Sequence, residues 1–170
     1  MPALPTPRLI SSCVWGSVVL ENHWSADRRR RMPLRGCQAA GRQIEGKPGA
    51  ARVLDSSRGT PFLLFRKDRM RRVKGADLLP GLKLKPSSAT TRYVATCCNS
   101  MMNLGFDDSK HWVSMNRDRF VGDVPPLRMR ICTGTLPSEA LPTDLPCYPS
   151  YPMRFIARLI LAGLLMRLGM

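Results

Sequence analysis

The chain has 170 residues, 44% hydrophobic and only 6% aromatic, which fits one domain plus tails with a mostly aliphatic core. Fifteen prolines and thirteen glycines argue against an architecture of long helices and for turns joining short elements. A formal net charge of +15 favours anionic partners (nucleic acid, acidic lipid head groups, small carboxylates or phosphates), although a GC-rich coding sequence also produces an arginine-rich composition.

Residues 1–7 read as a loose tail. In "RLISSCVWGSVVLE" (8–21), β-branched residues and serines flank Gly16, the pattern of a strand, a turn and a second strand. "NHWSADRRRRMPLRG" (22–36) is irregular and strongly basic, and a poorly ordered loop is expected there. "CQAAGRQIEGKPGAA" (37–51) begins with a short helical turn and ends in a loop carrying Gly46, Pro48 and Gly49. "TPFLLFRKDRMRRVKG" (60–75) is apolar, then basic, and fits a strand followed by a turn. In "ADLLPGLKLKP" (76–86) a Pro80-Gly81 turn precedes Leu82 and Leu84, which alternate with Lys83 and Lys85. "TTRYVATCC" (90–98) predicts a strand ending at Cys97-Cys98, and "KHWVSMNRDRF" (110–120) fits no single pattern. "PPLRMRICT" (125–133) alternates Leu127, Met129 and Ile131 with Arg128, Arg130 and Cys132, the pattern of a half-buried strand. Residues 134–152, rich in Pro, Ser and Thr, read as a linker or a wrapped loop. "PMRFIARLILAGLLMRLGM" (152–170) predicts a helix over 153–168. A membrane span needs about 20 apolar residues, and this run is shorter and holds Arg158. It reads first as a helix packed on its own domain or on a second subunit, with a membrane-surface helix and a loose tail as alternatives. No transmembrane segment and no internal repeat are found.

Six cysteines stand at 13, 37, 97, 98, 132 and 147. The N-terminus carries prolines where a signal peptide needs an unbroken apolar core, so a cytoplasmic location with reduced thiols is expected. Clustered cysteines then read as metal ligands or as small core residues. A structural zinc site takes four ligands in two close pairs, and close pairs come from turns. Neighbours on a flat strand point to opposite faces. Cys97 and Cys98 can both ligate only if the strand stops there and turns, which Asn99-Ser100 permits; otherwise they are one core thiol and one loop thiol. There is no Cys-x-x-Cys, and His23 and His111 are lone histidines followed by Trp24 and Trp112.

The order of these pieces is informative. "SCVWGSVVLE", then "GCQAAGRQIEGKPGAARVLDSSRGTPFLLFRKD", then "LKPSSATTRYVATCCNSMM" resembles the glutathione-dependent formaldehyde-activating enzyme family, which includes the centromere protein V group. The resemblance covers roughly residues 9–132. It implies a mainly β, tent-like zinc-binding fold, here over residues 8–133. A Pro-rich connector (134–152) and the C-terminal helix follow.

The resemblance also implies a ligand set. Cys13 and Gly16 match a first Cys-x-Cys-Gly motif, with Trp15 at its second cysteine. Cys37 matches the last position of a middle Cys-x-Cys-x-x-Cys, with Met32 and Leu34 at the other two. Arg92, Val94, Ala95, Cys98 and Asn99 fall on an Arg-x-Phe-Cys-x-x-Cys-Gly motif, with only the arginine and the final cysteine kept. Cys97 has no counterpart and stands in as a substitute ligand. In the family the outer motifs hold a structural zinc and the middle triple holds the zinc of the chemistry.

The function implied is a carbon–sulfur lyase activity, the reversible addition of a glutathione-like thiol to a small aldehyde such as formaldehyde. Arg92 and Lys110 are the candidates for holding the substrate's carboxylates. With the middle triple reduced to Cys37, impaired or absent turnover is expected, and zinc is expected on Cys13, Cys97, Cys98 and Cys37, or weakly held or lost. The alternative is a non-catalytic binding module. A nucleic-acid partner is a further alternative, from the basic runs 28–31 and 66–74 with Trp24, Phe62 and Phe65 nearby.

Overall fold

Serines, β-branched residues and Gly16 in 8–21 fold as their pattern indicates: Arg8–Ser12 (β1) pairs antiparallel with Val19–His23 (β2) across a turn in which Gly16 takes φ +67°. The computed structural model describes residues 8–23, 29–32, 35–107, 110–134, 137 and 141–169. Among these, the chain continues through Arg29–Met32 (β3), Arg35–Glu45 (α1), Thr60–Arg66 (β4), Met70–Lys74 (β5), Gly81–Leu82 (β6), Thr90–Ala95 (β7), Ser100–Phe106 (β8) and Trp112–Asn116 (β9). Phe120–Val121 (β10), Arg130–Ile131 (β11), Cys147–Tyr148 (β12) and Met153–Arg167 (α2) complete it. The chain is mainly β.

The strands form two sheets, a small one in the order β10-β1-β2-β5 and a large one in the order β12-β11-β3-β4-β9-β8-β7-β6. Pairing is antiparallel except where β11 lies parallel to β3 and to β12. The large sheet is covered on both faces. Along β4, Phe62 and Leu64 enter one core while Leu63 and Phe65 enter the other, and every residue of the strand is buried. A strand covered on both sides has no reason to alternate apolar with polar. One core packs the sheet against the helices through Ile44 of α1 and Phe155 and Leu159 of α2. The other packs it against the small sheet through Leu20 and the partly buried Leu9 and Phe120.

Four stretches differ from what their sequence suggests. The loop expected over 22–36 holds the end of β2, all of β3 and the start of α1; residues 24–28 and 33–34 lie outside the described set. The helical turn expected at 37 belongs to an eleven-residue helix. Among Leu82–Lys85, only Leu82 is in a strand. In 125–133 only Arg130 and Ile131 are strand, and Arg130, which alternation sets on the polar side, is 1% exposed. Residues from the following segment provide the reason. Asp144 Oδ1 lies 2.6 Å from its guanidinium, and the Pro142 carbonyl accepts from Nη1 at 3.2 Å. A buried cation needs such partners.

α2 seats on the large sheet by one stripe, Phe155, Leu159 and Ala162. Gly163 lets it approach closely, because a Cβ there would fall 2.8 Å from the His111 ring. Among the described residues no helix is long and apolar enough to cross a membrane.

Candidate metal centre

Cys13 follows β1 in the small sheet, and Cys97-Cys98 form the turn between β7 and β8 in the large sheet. The strand stops at Ala95, two residues before the cysteine pair expected to end it, and the pair lies in the turn over 96–99. Asn99 takes φ +51°, a left-handed conformation that reverses the chain at once into β8. The resemblance has glycine at this position, and asparagine is the residue that replaces glycine there most readily. Its side-chain amide also donates to the Pro48 carbonyl at 3.0 Å. On the other side, Gly16 N–H donates to the Cys13 carbonyl at 3.0 Å and closes a tight turn over residues 13–16.

These two turns bring three sulfurs together. Cys13 Sγ and Cys97 Sγ are 3.7 Å apart, Cys97 Sγ and Cys98 Sγ are also 3.7 Å apart, and all three lie within 4.8 Å of one another. With zinc–sulfur bonds of about 2.3 Å, a tetrahedral site has sulfur–sulfur edges of about 3.8 Å. Two of the three separations already have that length. They are far too long for a disulfide, and none joins the six cysteines. Cys13 and Cys98 are buried and Cys97 is half-buried. Together the three can hold a metal ion.

Hydrogen bonds prepare the sulfurs for charge. Val18 N–H donates to Cys13 Sγ at 3.3 Å. Val14 N–H donates to Ser100 Oγ at 3.2 Å, which leaves the Ser100 hydroxyl proton for Cys98 Sγ, 3.1 Å away. Burial on its own raises the Cys98 thiol. The Ser100 hydroxyl, the backbone of Trp15 and Ser100, and the Cys13 side chain outweigh it and bring the group from 9.0 down to about 7. Cys97 moves the other way, to about 11, through burial first and then its contacts with Cys98 and Cys13. Three thiols this close do not all ionise without a cation between them.

Ser100, fully buried in the centre, enters the sequence reading only as a turn former; its place two residues after Cys98 is the signal for its contact with the sulfur. Cys37 is not brought to the site. It lies in the helix-side core, and the large sheet separates it from the three thiols, so it does not complete a set of four. Among the described residues no further Cys, His, Asp or Glu joins the three. Trp15, where the resemblance has a cysteine, is 69% exposed and offers no ligand atom. Ala95 is a fully buried core residue.

Arg92 and Lys110 also lie away from the thiols. Arg92 is buried and in register with Leu82 and Leu104, which pack in the helix-side core. Lys110 Nζ stands 5.3 Å over the Phe106 ring, in a cleft of about 280 Å³ beside α2. The aromatics near the second basic run are not presented for base stacking, since Phe62 and Phe65 are core residues; Trp24 lies outside the described residues. The tip of that run is tied inward, with Asp68 held below the usual carboxylate range by its hydrogen bond from Arg66.

No protein-family profile and no curated protein matches the chain. Among solved structures, it is similar to a Rhodobacter sphaeroides protein determined as a structural-genomics target. The TM-score is 0.50 at 15% identity, over 81% of this chain and 98% of that one. At that identity the likeness concerns the fold alone.

Proposed function

We propose that this chain is a metal-binding domain of the formaldehyde-activating type. In this reading Cys13, Cys97 and Cys98 supply three of the four ligands of a structural zinc ion, and the carbon–sulfur lyase chemistry of the family is impaired or absent. One observation carries it: three sulfurs from turns of the two sheets lie within 4.8 Å of one another, two of their separations at the edge length of a tetrahedral thiolate site. Cys13 and Cys98 are the residues that the resemblance assigns to a structural zinc, and Cys97 takes up a missing position.

The loss of chemistry is inferred from the middle motif. Met32 and Leu34 stand at two of its positions, and leucine offers no ligand atom. Cys37, the third, is 7% exposed in the helix-side core. One thiol does not hold a catalytic zinc, which takes three protein ligands and an open position. Zinc at the three thiols would supply charge compensation for the sulfurs and a bond between the sheets.

Elemental analysis of the purified chain and of Cys98→Ser tests the reading, alongside a thiol–formaldehyde adduct assay. One zinc per parent chain, lost in the variant, with no zinc-dependent turnover, is the expected result. A parent free of zinc removes the metal role. Sustained turnover removes the claim of lost chemistry.

A further inference from the structure

The helix α2 is apolar on two opposite faces. Phe155, Leu159 and Ala162 are buried against the large sheet. At 3.6 residues per turn, Met153, Ala157, Ile160, Leu161, Leu164 and Leu168 form a second stripe on the far side. These residues are exposed, Met153 by 77% and Leu168 by 71%, and even the least exposed of the large ones, Leu164, by 50%. An apolar helix face ordinarily has a neighbour, and nothing among the described residues covers this one.

Charge selects the occupant. No aspartate or glutamate occurs from 153 to 170. By the same helical geometry Arg154 and Arg167 flank the stripe on opposite sides, both exposed. At the N-terminal end of α2, Arg128, Arg154 and Arg158 line a cleft of about 440 Å³ whose wall includes Met153, so the cationic cleft runs into the apolar stripe. A second copy of the chain fits this poorly. Two helices paired antiparallel set Arg154 of one beside Arg167 of the other with no carboxylate in either, and each chain carries +15. The helix is also too short to span: fifteen residues rise about 22 Å against about 30 Å of hydrocarbon. An apolar stripe bordered by arginines and lying along the surface is the pattern of an interfacial helix.

We propose that the outer face of α2, with the adjoining arginine cleft, docks flat on an anionic lipid bilayer, the stripe entering the head-group boundary and the arginines meeting lipid phosphates. This does not depend on the metal centre.

Flotation of the 170-residue chain as purified with neutral phosphatidylcholine vesicles, and with vesicles containing phosphatidylserine, tests it. Binding to the anionic vesicles alone is expected. Leu161→Glu with Leu164→Glu, at exposed positions outside both cores, is expected to weaken it at least about tenfold, with metal content and melting temperature unchanged. A chain carrying +15 adheres to anionic vesicles in any orientation, so a charge control is needed. Arg154→Gln with Arg158→Gln is expected to lower binding about 25-fold, about fivefold per arginine near the surface. Arg71→Gln with Lys74→Gln, the same change of charge at exposed sites on β5 of the small sheet, across the large sheet from α2, is expected to lower it less than about fivefold. Four results would each overturn the proposal: no flotation, equal flotation on neutral vesicles, binding that survives the leucine changes, or equal losses from the two charge pairs. A dimer that the leucine changes dissolve, without vesicle binding, would assign the face to a second copy instead.

Discussion

Asn99 shows how one backbone angle positions the candidate site. Its φ of +51° turns the chain so that Cys97 and Cys98 leave β7 on the side of Cys13. Alanine at 99 meets the left-handed conformation without a local hydrogen bond and is expected to cost about 1–2 kcal/mol in urea denaturation. Glycine removes the strain but also the contact to Pro48, and is expected to fall within about 0.5 kcal/mol of the parent. Equal losses for both would mean that the side-chain contact, not the angle, matters. The thiols make a second expectation. In the metal-free chain, Cys98 ionises at about 7 when folded but near 9.0 when unfolded. Its contribution to stability is therefore present above pH 9 and lost as pH falls through 7. Cys97, raised to about 11, acts oppositely, and its contribution is lost as pH rises from 9 through 11. Zinc displaces one more thiol proton below pH 7, where Cys98 is protonated, than above it, so affinity measured by chelator competition is expected to rise with pH, more steeply below 7. A flat profile from pH 6 to 8 would rule these thiols out as ligands. Much of this centre was legible in advance: Cys13, Gly16, Cys98 and the turn at Asn99-Ser100 all stood in the sequence. The exclusion of Cys37 was not, because no local pattern says which face of a sheet a distant helix will cover.

At the scale of elements, local patterning was readable where a segment has one face to water and failed where it has none. The β1–β2 hairpin and the strand leading to the cysteine pair follow their sequence closely. β8 is almost wholly buried without alternation, and β9 carries both serine and asparagine in buried positions, so neither advertises itself as a strand. Arg130 is the sharpest case, since the carboxylate that makes its burial tolerable comes from fourteen residues further on. α2 was recognisable as a helix, yet its two apolar faces are alike in composition, and only the packed structure distinguishes them. This difference is measurable. Leu159→Ala opens space in the helix-side core and is expected to cost about 2–4 kcal/mol. Leu161→Ala, 54% exposed, is expected to change stability by less than about 0.5 kcal/mol in the absence of lipid. Thermal or urea unfolding of the two variants side by side decides it, and comparable losses would place the outer face in a contact within the chain.

Across the whole molecule, the two sheets are joined in unequal ways. The helix-side core draws on both helices and one face of the large sheet, whereas the small sheet meets only the opposite face. The thiol cluster sits on that second junction, with Cys13 on the small sheet and Cys97-Cys98 on the large one, so a bound metal is a cross-link between layers. A ligand that binds only the folded state stabilises it by RT ln(1 + [L]/Kd), about 4 kcal/mol at a thousandfold excess over Kd. At the proposed centre that stabilisation would fall on the second junction. Removing zinc with a strong chelator is expected to accelerate amide hydrogen exchange first in β1, β2 and the turn at 96–99, while α1, β4 and α2 keep their protection. The net charge of +15 adds to the asymmetry, because β5, at the edge of the small sheet, exposes Arg71, Arg72 and Lys74. Arg71 stands opposite Glu21, Arg72 lies 5.0 Å over the Tyr93 ring and Lys74 donates to the Gly16 carbonyl at 3.0 Å, so the edge is held against the repulsion among its own charges, and raising the salt concentration, which screens both, is expected to change exchange in β5 less than chelation does. If chelation instead speeds exchange uniformly over both cores, the molecule unfolds as one unit. The metal would then contribute to global stability without serving as a hinge between the sheets. Unchanged exchange in β1 and at 96–99 would show that packing at the second core holds the layers together unaided.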